Sequence, residues 1–227
     1  MKIIGIASSP HRNGSSVTLL REALRGAAEA GAETEEIYLP DYEIRYCRGC
    51  MCCLSGDRCA IPDDLNTLRE KLVEADGLIL SSPTYGLAPN AIMKNLTDRI
   101  GMHSVYRSLL GDKYVAGIAT AGAIGARKTA RMLTGITDGF HRNGRISGIL
   151  GVPVGHGDAQ AALPQARGLG RRIAKDILAQ RKYPFQKLME NLLRALVLKR
   201  LMRKNVLENK DGKMKSVYEH WLAKGYI

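Results

Sequence analysis

The feature that most constrains the fold of this 227-residue chain is a regular alternation of short apolar segments with longer helical patterns. Short apolar runs predict strands over residues 2–7, 78–81, 114–119 and 146–152, and an alternating pattern predicts a further strand over residues 34–39. Helical patterns predict helices over residues 17–30, 89–103, 127–141 and 158–180. A further helix is predicted to open over residues 61–65, where a Pro and two acidic residues suit a first turn, and to run to about residue 75. Strands that alternate with helices form a parallel sheet covered on both faces. The sequence therefore predicts an α/β fold, a doubly wound five-stranded parallel sheet, with a C-terminal helical extension.

The loop after the first strand has the composition of an anion site. Residues 8–16 are rich in hydroxyl groups and lead into a helix, whose N-terminal N–H groups favour a negative charge. Arg12 can add a fixed positive charge. The loop carries neither a G-x-G-x-x-G fingerprint nor a Walker motif, which argues against those two nucleotide sites. The alternative is a polar loop in which Ser15 or Ser16 only caps the helix.

Two further loops are expected at the same edge of the sheet. In such folds ligands bind beyond the carboxyl ends of the strands, which selects the loops after strands one, three and four. Residues 82–86 can offer backbone N–H and C=O groups to one edge of a planar ring, and the glycines between 122 and 125 allow a close approach to the other edge. Together the three loops predict a site for a planar, phosphorylated ligand.

All five cysteines of the chain lie within the thirteen residues 47–59. The set Cys47, Cys50, Cys53 and Cys59 has the spacing C-x2-C-x2-C-x5-C, which favours a [4Fe-4S] cluster over tetrahedral zinc. A loop of metal-free thiols is the other alternative. A disulfide framework is disfavoured by the odd number of cysteines and by the adjacent pair Cys52-Cys53. This pair also leaves open whether Cys52 or Cys53 is the third ligand, because Cys50 and Cys52 form an alternative C-x-C motif.

The net charge of +12 is concentrated at the C-terminal end. Residues 165–227 carry 16 Lys and Arg against 5 Asp and Glu, whereas residues 1–164 carry 18 against 17. Residues 182–227 are predicted to form a basic helical extension to a domain of residues 1–181. Its amphipathic helix has three interpretations: an arm that packs on the domain or on a partner subunit, a patch for an acidic protein such as ferredoxin, and a membrane or nucleic-acid contact. The segment 218–227, with the single Trp, is predicted to pack against an apolar surface.

These motifs resemble the iron–sulfur flavoproteins within the flavodoxin-like NAD(P)H-dependent FMN reductase superfamily. The resemblance covers about residues 1–180. It is carried by three stretches: residues 8–15, residues 81–86 with Met93-Lys94 and Asp98-Arg99, and the cysteine run that closes in Asp63-Asp64. The cysteine run is the most specific of the three. The resemblance implies a flavodoxin-like fold, bound FMN and a [4Fe-4S] cluster on Cys47, Cys50, Cys53 and Cys59.

The resemblance also assigns FMN contacts. The phosphate is expected on Ser8, Arg12, Asn13, Ser15 and Ser16. The isoalloxazine is expected against Pro83, Thr84, Tyr85 and Gly86 on one side, with Thr120 and Gly122 on the other. NAD(P)H is a further expected co-substrate, and a homodimer or tetramer is the expected assembly.

The implied activity is that of an FMN-dependent oxidoreductase, which passes electrons between a donor (ferredoxin or NAD(P)H) and an acceptor. Because the flavin carries the chemistry, no catalytic side chain is nominated, and the four loop histidines His11, His103, His141 and His156 are expected to be structural. Two alternatives remain: a cluster-free NAD(P)H-dependent FMN or quinone reductase, and a regulatory or nucleic-acid-binding flavoprotein. No apolar run is long enough to span a membrane, nucleic acid is an unlikely partner, and the cysteines suit a cytoplasmic location.

Overall fold

The chain is described by a computed structural model over residues 1–155, 159–186 and 188–227. The strands are β1 (Lys2–Ala7), β2 (Glu33–Tyr38), β3 (Gly77–Tyr85), β4 (Ala88–Pro89), β5 (Tyr114–Ala121) and β6 (Arg145–Pro153). The helices are α1 (Ser15–Glu29), α2 (Cys52–Ser55), α3 (Leu65–Glu74), α4 (Ala91–Arg107), α5 (Ala126–Leu133), α6 (Leu163–Leu178), α7 (Leu188–Leu193), α8 (Lys199–Glu208) and α9 (Lys215–Ala223). Single 3-10 turns lie at Leu39–Asp41, Thr134–Thr137 and Gln160–Ala162, and a π-helical stretch at Arg194–Leu198 joins α7 to α8.

The sheet has the predicted flavodoxin-like topology. Five parallel strands pair in the order β2-β1-β3-β5-β6, which is 2-1-3-4-5 when the parallel strands are counted along the chain. The two-residue strand β4, which the sequence did not predict, pairs antiparallel with the end of β3. The order reverses between β1 and β3, and ligands of doubly wound sheets bind at such a switch point. The fold prediction is confirmed.

Apolar side chains fill both faces of the sheet. On one face α1 and α6 cover the strands, and on the other face α3, α4 and the end of α5 do so. The helices α1 and α6 approach each other closely at Gly26 and Gly170. A Cβ at Gly170 would lie 1.7 Å from the Ala23 carbonyl oxygen, so only glycine fits there. This rigid sheet fixes the loops at its carboxyl edge.

Two predicted helices differ from the observed ones. The helix predicted over 127–141 ends at Leu133, and a single 3-10 turn follows. The Thr134 and Thr137 hydroxyls donate to carbonyl oxygens three residues back, at 2.7 and 2.9 Å. Gly135 and Gly139 also have low helix propensity, so the α-helix gives way to a single 3-10 turn and does not continue. The helix predicted to begin at Asp158 is observed from Leu163. Asp158 and His156 lie outside the described residues.

The C-terminal helices α8 and α9 pack on the domain beside the cysteine loop. Val206, Val217 and Trp221 are buried together with Leu54 of α2. The Trp221 indole N–H donates to the Tyr106 carbonyl oxygen of α4 at 2.6 Å. The prediction that the segment with the only Trp packs against an apolar surface is confirmed. This part of the extension therefore covers α2, within the cysteine loop, and the far end of α4.

The preceding part of the extension, residues 188–201, is here called the arm. Six of its described apolar side chains are exposed, from 43% at Val197 to 61% at Leu196, and the other four are Leu188, Leu192, Leu193 and Leu201. Lys199 and Arg200 add exposed positive charges. The arm therefore presents an apolar surface of the kind that marks an interaction site. Within residues 1–155, 159–186 and 188–227, no helix is long and apolar enough to cross a bilayer.

Candidate functional site

The loop after β1 leads into the uncapped N-terminus of α1, a candidate anion site. Ser15 and Ser16 are the first two residues of α1, and Gly14 is its N-cap, with no side-chain hydrogen bond to the helix end. The interpretation in which Ser15 or Ser16 caps the helix is therefore wrong. The first N–H groups of a helix have no intrahelical partner, and here no N-cap side chain covers them. This end of α1 can hold an anion.

The other residues predicted around the anion take different positions. The Ser8 hydroxyl is buried and donates to the Ser81 carbonyl oxygen at 3.2 Å, so it joins β1 to β3. Arg12 is exposed, pairs with Asp41 and stacks over the Tyr38 ring at 4.2 Å. The Asn13 side-chain oxygen accepts from Arg21 at 3.4 Å. Ser15 and Ser16 therefore lie at the anion site itself, whereas Arg12 lies beside it with its charge already paired.

The end of β3 forms a tight hairpin with β4. Thr84 pairs with Pro89 and Tyr85 with Ala88, so two residues make the turn. Both turn residues, Gly86 and Leu87, have positive φ (57° and 63°), as a two-residue hairpin requires. A Cβ at Gly86 would meet nothing within 4 Å. The hairpin therefore presents bare backbone to open space at the edge of the sheet.

Thr84 carries a buried hydroxyl group that has no hydrogen-bond partner within the described part of the chain. Leaving a buried hydroxyl unpaired costs about 1–3 kcal/mol. Its position beside the hairpin turn places it at the expected ring edge. The hydroxyl is therefore a group that a bound ligand can satisfy.

The loop after β5 lies directly beside this hairpin. Thr120 of β5 pairs with Pro83 of β3 across the sheet. Gly122 follows, and a Cβ on it would meet nothing within 4 Å. Its carbonyl oxygen accepts from the Gly155 N–H at 2.8 Å, which ties the loop to the end of β6. The predicted ring contacts Pro83, Thr84, Tyr85, Gly86, Thr120 and Gly122 thus lie at one edge of the sheet.

Asn90, which the sequence did not single out, joins the first two loops. It is buried at the N-cap of α4, and its side-chain oxygen accepts from the Met93 N–H at 3.2 Å. Its amide nitrogen donates to the Ser8 carbonyl oxygen at 2.7 Å, and its backbone N–H donates to the Ser82 hydroxyl at 3.1 Å. An Asn before a helix indicates a cap, but its bond to Ser8 reaches across 82 residues and leaves no local signal.

These loops fit a planar phosphorylated ligand such as FMN. The uncapped end of α1 suits a phosphate. The unpaired Thr84 hydroxyl and the bare backbone at Gly86 and Gly122 suit a flat ring with polar edges.

The cysteine loop is an exposed segment held at its base. Cys47, Cys50 and Cys52 are exposed, Cys53 and Cys59 are half-buried, and all five thiols are free. Positive φ at Gly49 (64°) and Met51 (58°) curls the backbone between the first cysteines. The Cys52 N–H lowers the pKa of the Cys50 thiol, whereas burial raises the pKa of Cys53. The thiols of Cys50 and Cys53 therefore lie in different environments.

Arg99, which belongs to the Asp98-Arg99 pair named in the resemblance, is buried, whereas Asp98 is exposed. Arg99 is 4% exposed and forms a buried ion pair with Asp63, with nitrogen–oxygen distances of 2.7 and 3.1 Å. Burial alone would raise the pKa of Asp63, but the Arg99 guanidinium and the N–H groups of Arg45 and Leu65 lower it below its usual value. Arg99 also donates to the Cys59 sulfur at 3.3 Å.

Arg107 and His103 support the same loop from α4. Arg107 is 1% exposed and donates to the carbonyl oxygens of Cys53 and Gly56, at 2.9 and 3.0 Å. His103 Nε2 lies 2.8 Å from the Asp57 carbonyl oxygen, and burial lowers the His103 pKa to about 4. Burial also lowers the pKa of His141 to about 4, where the ring stacks on Tyr226. Both imidazoles are neutral near pH 7, which suits structural roles.

The donor chemistry of the loop fits an iron–sulfur cluster. Five soft thiols lie in one curled segment, and two buried arginines bring positive charge beneath it. Among the residues that the structure describes, no three Cys, His or acidic side chains are already gathered around a common centre. Ligation would therefore draw together the exposed sulfurs of Cys47 and Cys50 with those of Cys53 and Cys59.

The chain is similar to proteins of known family. The family model for NADPH-dependent FMN reductase matches residues 1–153, which span the sheet from β1 to β6. An iron–sulfur flavoprotein of Archaeoglobus fulgidus is 30% identical over 236 aligned residues, which cover 100% of both chains. Another, from Methanocaldococcus jannaschii, is 46% identical over 99 residues, or 44% of this chain and 51% of that one.

Solved structures share the fold. A flavone reductase superposes with a TM-score of 0.61 at 24% identity, covering 81% of this chain and 66% of that one. An NAD(P)H:quinone oxidoreductase from Methanothermobacter marburgensis gives 0.57 at 18% identity, covering 76% and 96%. At these identities the likeness establishes the sheet topology alone.

Proposed function

This chain belongs to the iron–sulfur flavoproteins of the NADPH-dependent FMN reductase family, and we propose that it moves electrons between a donor and an acceptor through FMN and a [4Fe-4S] cluster. It is a flavin-dependent oxidoreductase. Bound FMN exchanges electrons in pairs or singly, and a bound cluster exchanges them one at a time. The donor is proposed to be reduced ferredoxin or NAD(P)H.

The observation that carries the proposal is that one helix serves both candidate sites. Asn90, at the start of α4, bonds to the two flavin loops. Arg99, nine residues later, bonds to Cys59 and is fixed by Asp63. Nine residues of α-helix rise by about 14 Å. The cysteine loop is thus attached to the same rigid element as the flavin loops, as electron exchange between two cofactors would need.

The residues proposed to hold the phosphate divide into direct and supporting groups. The N–H groups and hydroxyls of Ser15 and Ser16 face the anion, and Asn13 and Arg12 lie beside them. Ser8 supports the loop through its bond to Ser81. In this arrangement the helix end, rather than the Arg12 charge, provides the main attraction, because Arg12 is already paired with Asp41.

Cys47, Cys50, Cys53 and Cys59 are proposed as the cluster ligands. Between the adjacent candidates, Cys53 is favoured over Cys52. Cys53 is half-buried and its carbonyl is held by Arg107, whereas Cys52 is exposed with its sulfur 3.8 Å from the Cys50 carbonyl oxygen. A ligand whose own backbone is hydrogen-bonded to a buried side chain is better oriented than one at the free surface.

Anaerobic reduction of the purified protein tests the choice of donor. Rapid bleaching of the flavin by NADPH or NADH would assign a pyridine nucleotide donor. Bleaching by reduced ferredoxin alone would assign a one-electron carrier. The runner-up function, a cluster-free NAD(P)H-dependent FMN or quinone reductase, is favoured by the description of the family model itself and predicts the first result with no iron present.

Thr84→Val is expected to weaken FMN binding about fivefold, because it removes a buried hydroxyl at the proposed ring edge and a hydrogen bond is worth about 1 kcal/mol. The FMN-free protein should be no less stable, since the hydroxyl has no partner among the described residues. Fluorescence titration of the FMN-free protein measures the affinity.

The control is Thr129→Val, which removes another buried, unpartnered hydroxyl, on α5 and outside the proposed FMN contacts. It should leave the FMN affinity unchanged. Equal affinities for wild type and Thr84→Val would show that Thr84 does not contact the ring.

We propose that the assembly is a homodimer or tetramer and that a second copy covers the arm. The double variant Leu192→Glu/Leu196→Glu places two charges on its exposed apolar surface and is expected to give a monomer by light scattering. The control Leu178→Glu changes an equally exposed leucine at the end of α6 and should keep the wild-type mass. A monomeric wild type, or an unchanged mass in the double variant, contradicts the proposal.

The basic C-terminal segment suits an acidic electron-transfer protein as a further partner, because opposite charge speeds encounter. Ferredoxin fits that description. Reduction of the flavin by ferredoxin should then slow as salt rises. The third functional alternative, a regulatory flavoprotein that binds nucleic acid, would instead show salt-sensitive retention on DNA, which we do not expect. A cytoplasmic location is proposed because the thiols need a reducing compartment.

A further inference from the structure

Helix α4 buries three nitrogen-rich side chains at four-residue intervals. Arg99, His103 and Arg107 are 4%, 4% and 1% exposed, and their spacing places them in a row on one helix face. Each side chain reaches the segment 45–63, which contains all the cysteines. Buried arginines are rare unless they are paired and hydrogen-bonded. The three side chains of this row therefore support the cysteine loop through direct contacts.

Arg99 is the member that reaches a sulfur atom. Its Nη1 donates to one Asp63 carboxylate oxygen at 2.7 Å and to the Arg45 carbonyl, and its Nη2 donates to the other Asp63 oxygen at 3.1 Å. Two parallel bonds to one carboxylate fix the plane of the guanidinium. In that plane Nη2 also lies 3.3 Å from the Cys59 sulfur.

Cys59 is held on its backbone as well. The Asn66 side chain accepts from the Cys59 N–H and donates to the Cys59 carbonyl oxygen, both at 3.0 Å. The residue is thus fixed through its main chain by Asn66 and at its sulfur by Arg99. The earlier cysteines differ from it: Cys47, Cys50 and Cys52 are exposed, and Arg107 contacts Cys53 at its carbonyl oxygen rather than at its sulfur.

Arg107 provides an internal comparison. It is as deeply buried as Arg99 and lies in the same row, but it donates to the carbonyl oxygens of Cys53 and Gly56 and to the Ser216 hydroxyl. It therefore supports the loop and the C-terminal helix without a bond to sulfur. If the row had only a structural role, substituting Arg99 and substituting Arg107 would have the same effect on the cluster.

The geometry points to Arg99 as a positioning residue that orients Cys59 as a cluster ligand and, through its charge, favours the reduced state of the cluster. This inference rests on the proposed function. A cation that donates to a ligand sulfur stabilises added negative charge on the cluster, and such hydrogen bonds are known determinants of reduction potential.

The test compares three full-length variants with the wild type. Arg99→Lys keeps the charge but cannot bond to Asp63 and Cys59 at the same time. The double variant Asp63→Leu/Arg99→Met removes both members of the pair, because Arg99→Met alone would leave a buried unpaired carboxylate. Arg107→Lys is the matched control. The readouts are the rate of iron loss to a chelator and the midpoint potential from EPR-monitored titration, with bound FMN as the check on folding.

The double variant is expected to lose iron at least about tenfold faster than the wild type, the range for a lost ligand-orienting bond, and to have a more negative midpoint. Arg99→Lys should lose iron faster but keep a midpoint close to wild type. Arg107→Lys should leave the midpoint unchanged.

Wild-type iron retention and midpoint in the double variant would overturn the inference, as would an equal midpoint shift in Arg107→Lys. If the double variant does not fold, wild-type iron loss in Arg99→Lys overturns it alone. A wild type that binds FMN but no iron instead overturns the proposed function, and the inference with it.

Discussion

Replacing Cys59 or Cys53 by serine is expected to abolish the cluster while FMN stays bound. Each change removes one of the four thiolates proposed as ligands, and an alkoxide is a poor substitute for a soft thiolate. Iron should fall from about four per chain to below one, the full complement being that of a cubane cluster. The flavin loops follow β1, β3 and β5 and contain no cysteine, so they should keep their ligand. Iron and flavin assays on the same anaerobic sample measure both.

The matched control is Cys52→Ser, adjacent to Cys53. Cys52 is exposed and lies outside the proposed ligand set, so this variant should keep its iron. If Cys52→Ser loses its iron and Cys53→Ser keeps it, Cys52 is the third ligand. If none of the three variants changes the iron content, the loop does not hold a cluster.

Trp221→Ala is expected to destabilise the protein by about 3–5 kcal/mol, the usual cost of truncating a buried aromatic side chain. Trp221 is 1% exposed, packs edge-on to His141 at 4.4 Å and donates its N–H to Tyr106. The change leaves a cavity beneath Leu54, so the cysteine loop should also become more reactive towards a thiol reagent. Urea unfolding measures the stability.

Leu222→Ala is the control for this prediction. It truncates the next residue of the same helix, which is 58% exposed, and should change the free energy of unfolding by less than about 0.5 kcal/mol. Equal urea midpoints for Trp221→Ala and Leu222→Ala would contradict the packing of the C-terminal helices on the domain.

Four of the five parallel strands could be predicted because each contains a continuous apolar run, as strands buried on both faces do. The edge strand β2 carries three Glu residues and was predicted from its alternating pattern instead. All five parallel strands were found within a few residues of their observed ends, β1 at both. The strand ends then located the three loops. Helix ends were less predictable, as in 127–141, where local Thr hydroxyl bonds end α5 early.

The supports of the candidate site could not be predicted, because their partners are distant in the sequence. Asn90 bonds to Ser8 and Arg99 bonds to Cys59, 82 and 40 residues away. The spacing of Arg99, His103 and Arg107 is visible in the sequence. Nevertheless, charged residues on one helix face usually face solvent, so nothing local indicates burial. The role of these three residues becomes apparent only in the structure, where the cysteine loop covers this face of α4.

The C-terminal extension also has one feature that the sequence predicted and one that it did not. The Trp was predicted to pack because indoles seldom stay in water, and the structure buries it. The arm was predicted to be amphipathic, and six of its described apolar side chains are exposed, so its pattern alone did not reveal what covers it. A pattern specifies which face seeks an apolar partner, whereas the partner depends on the assembly.

An anaerobic visible spectrum of the purified protein, with iron and sulfide assayed on the same sample, tests the central claim most directly. A flavin spectrum with a broad additional shoulder and about four iron and four sulfide per chain is the expected result for a cysteine-ligated cubane cluster. A flavin spectrum alone, with no iron after anaerobic reconstitution, would contradict it. The protein would then be a plain flavin reductase, with the cysteine loop as a structural element.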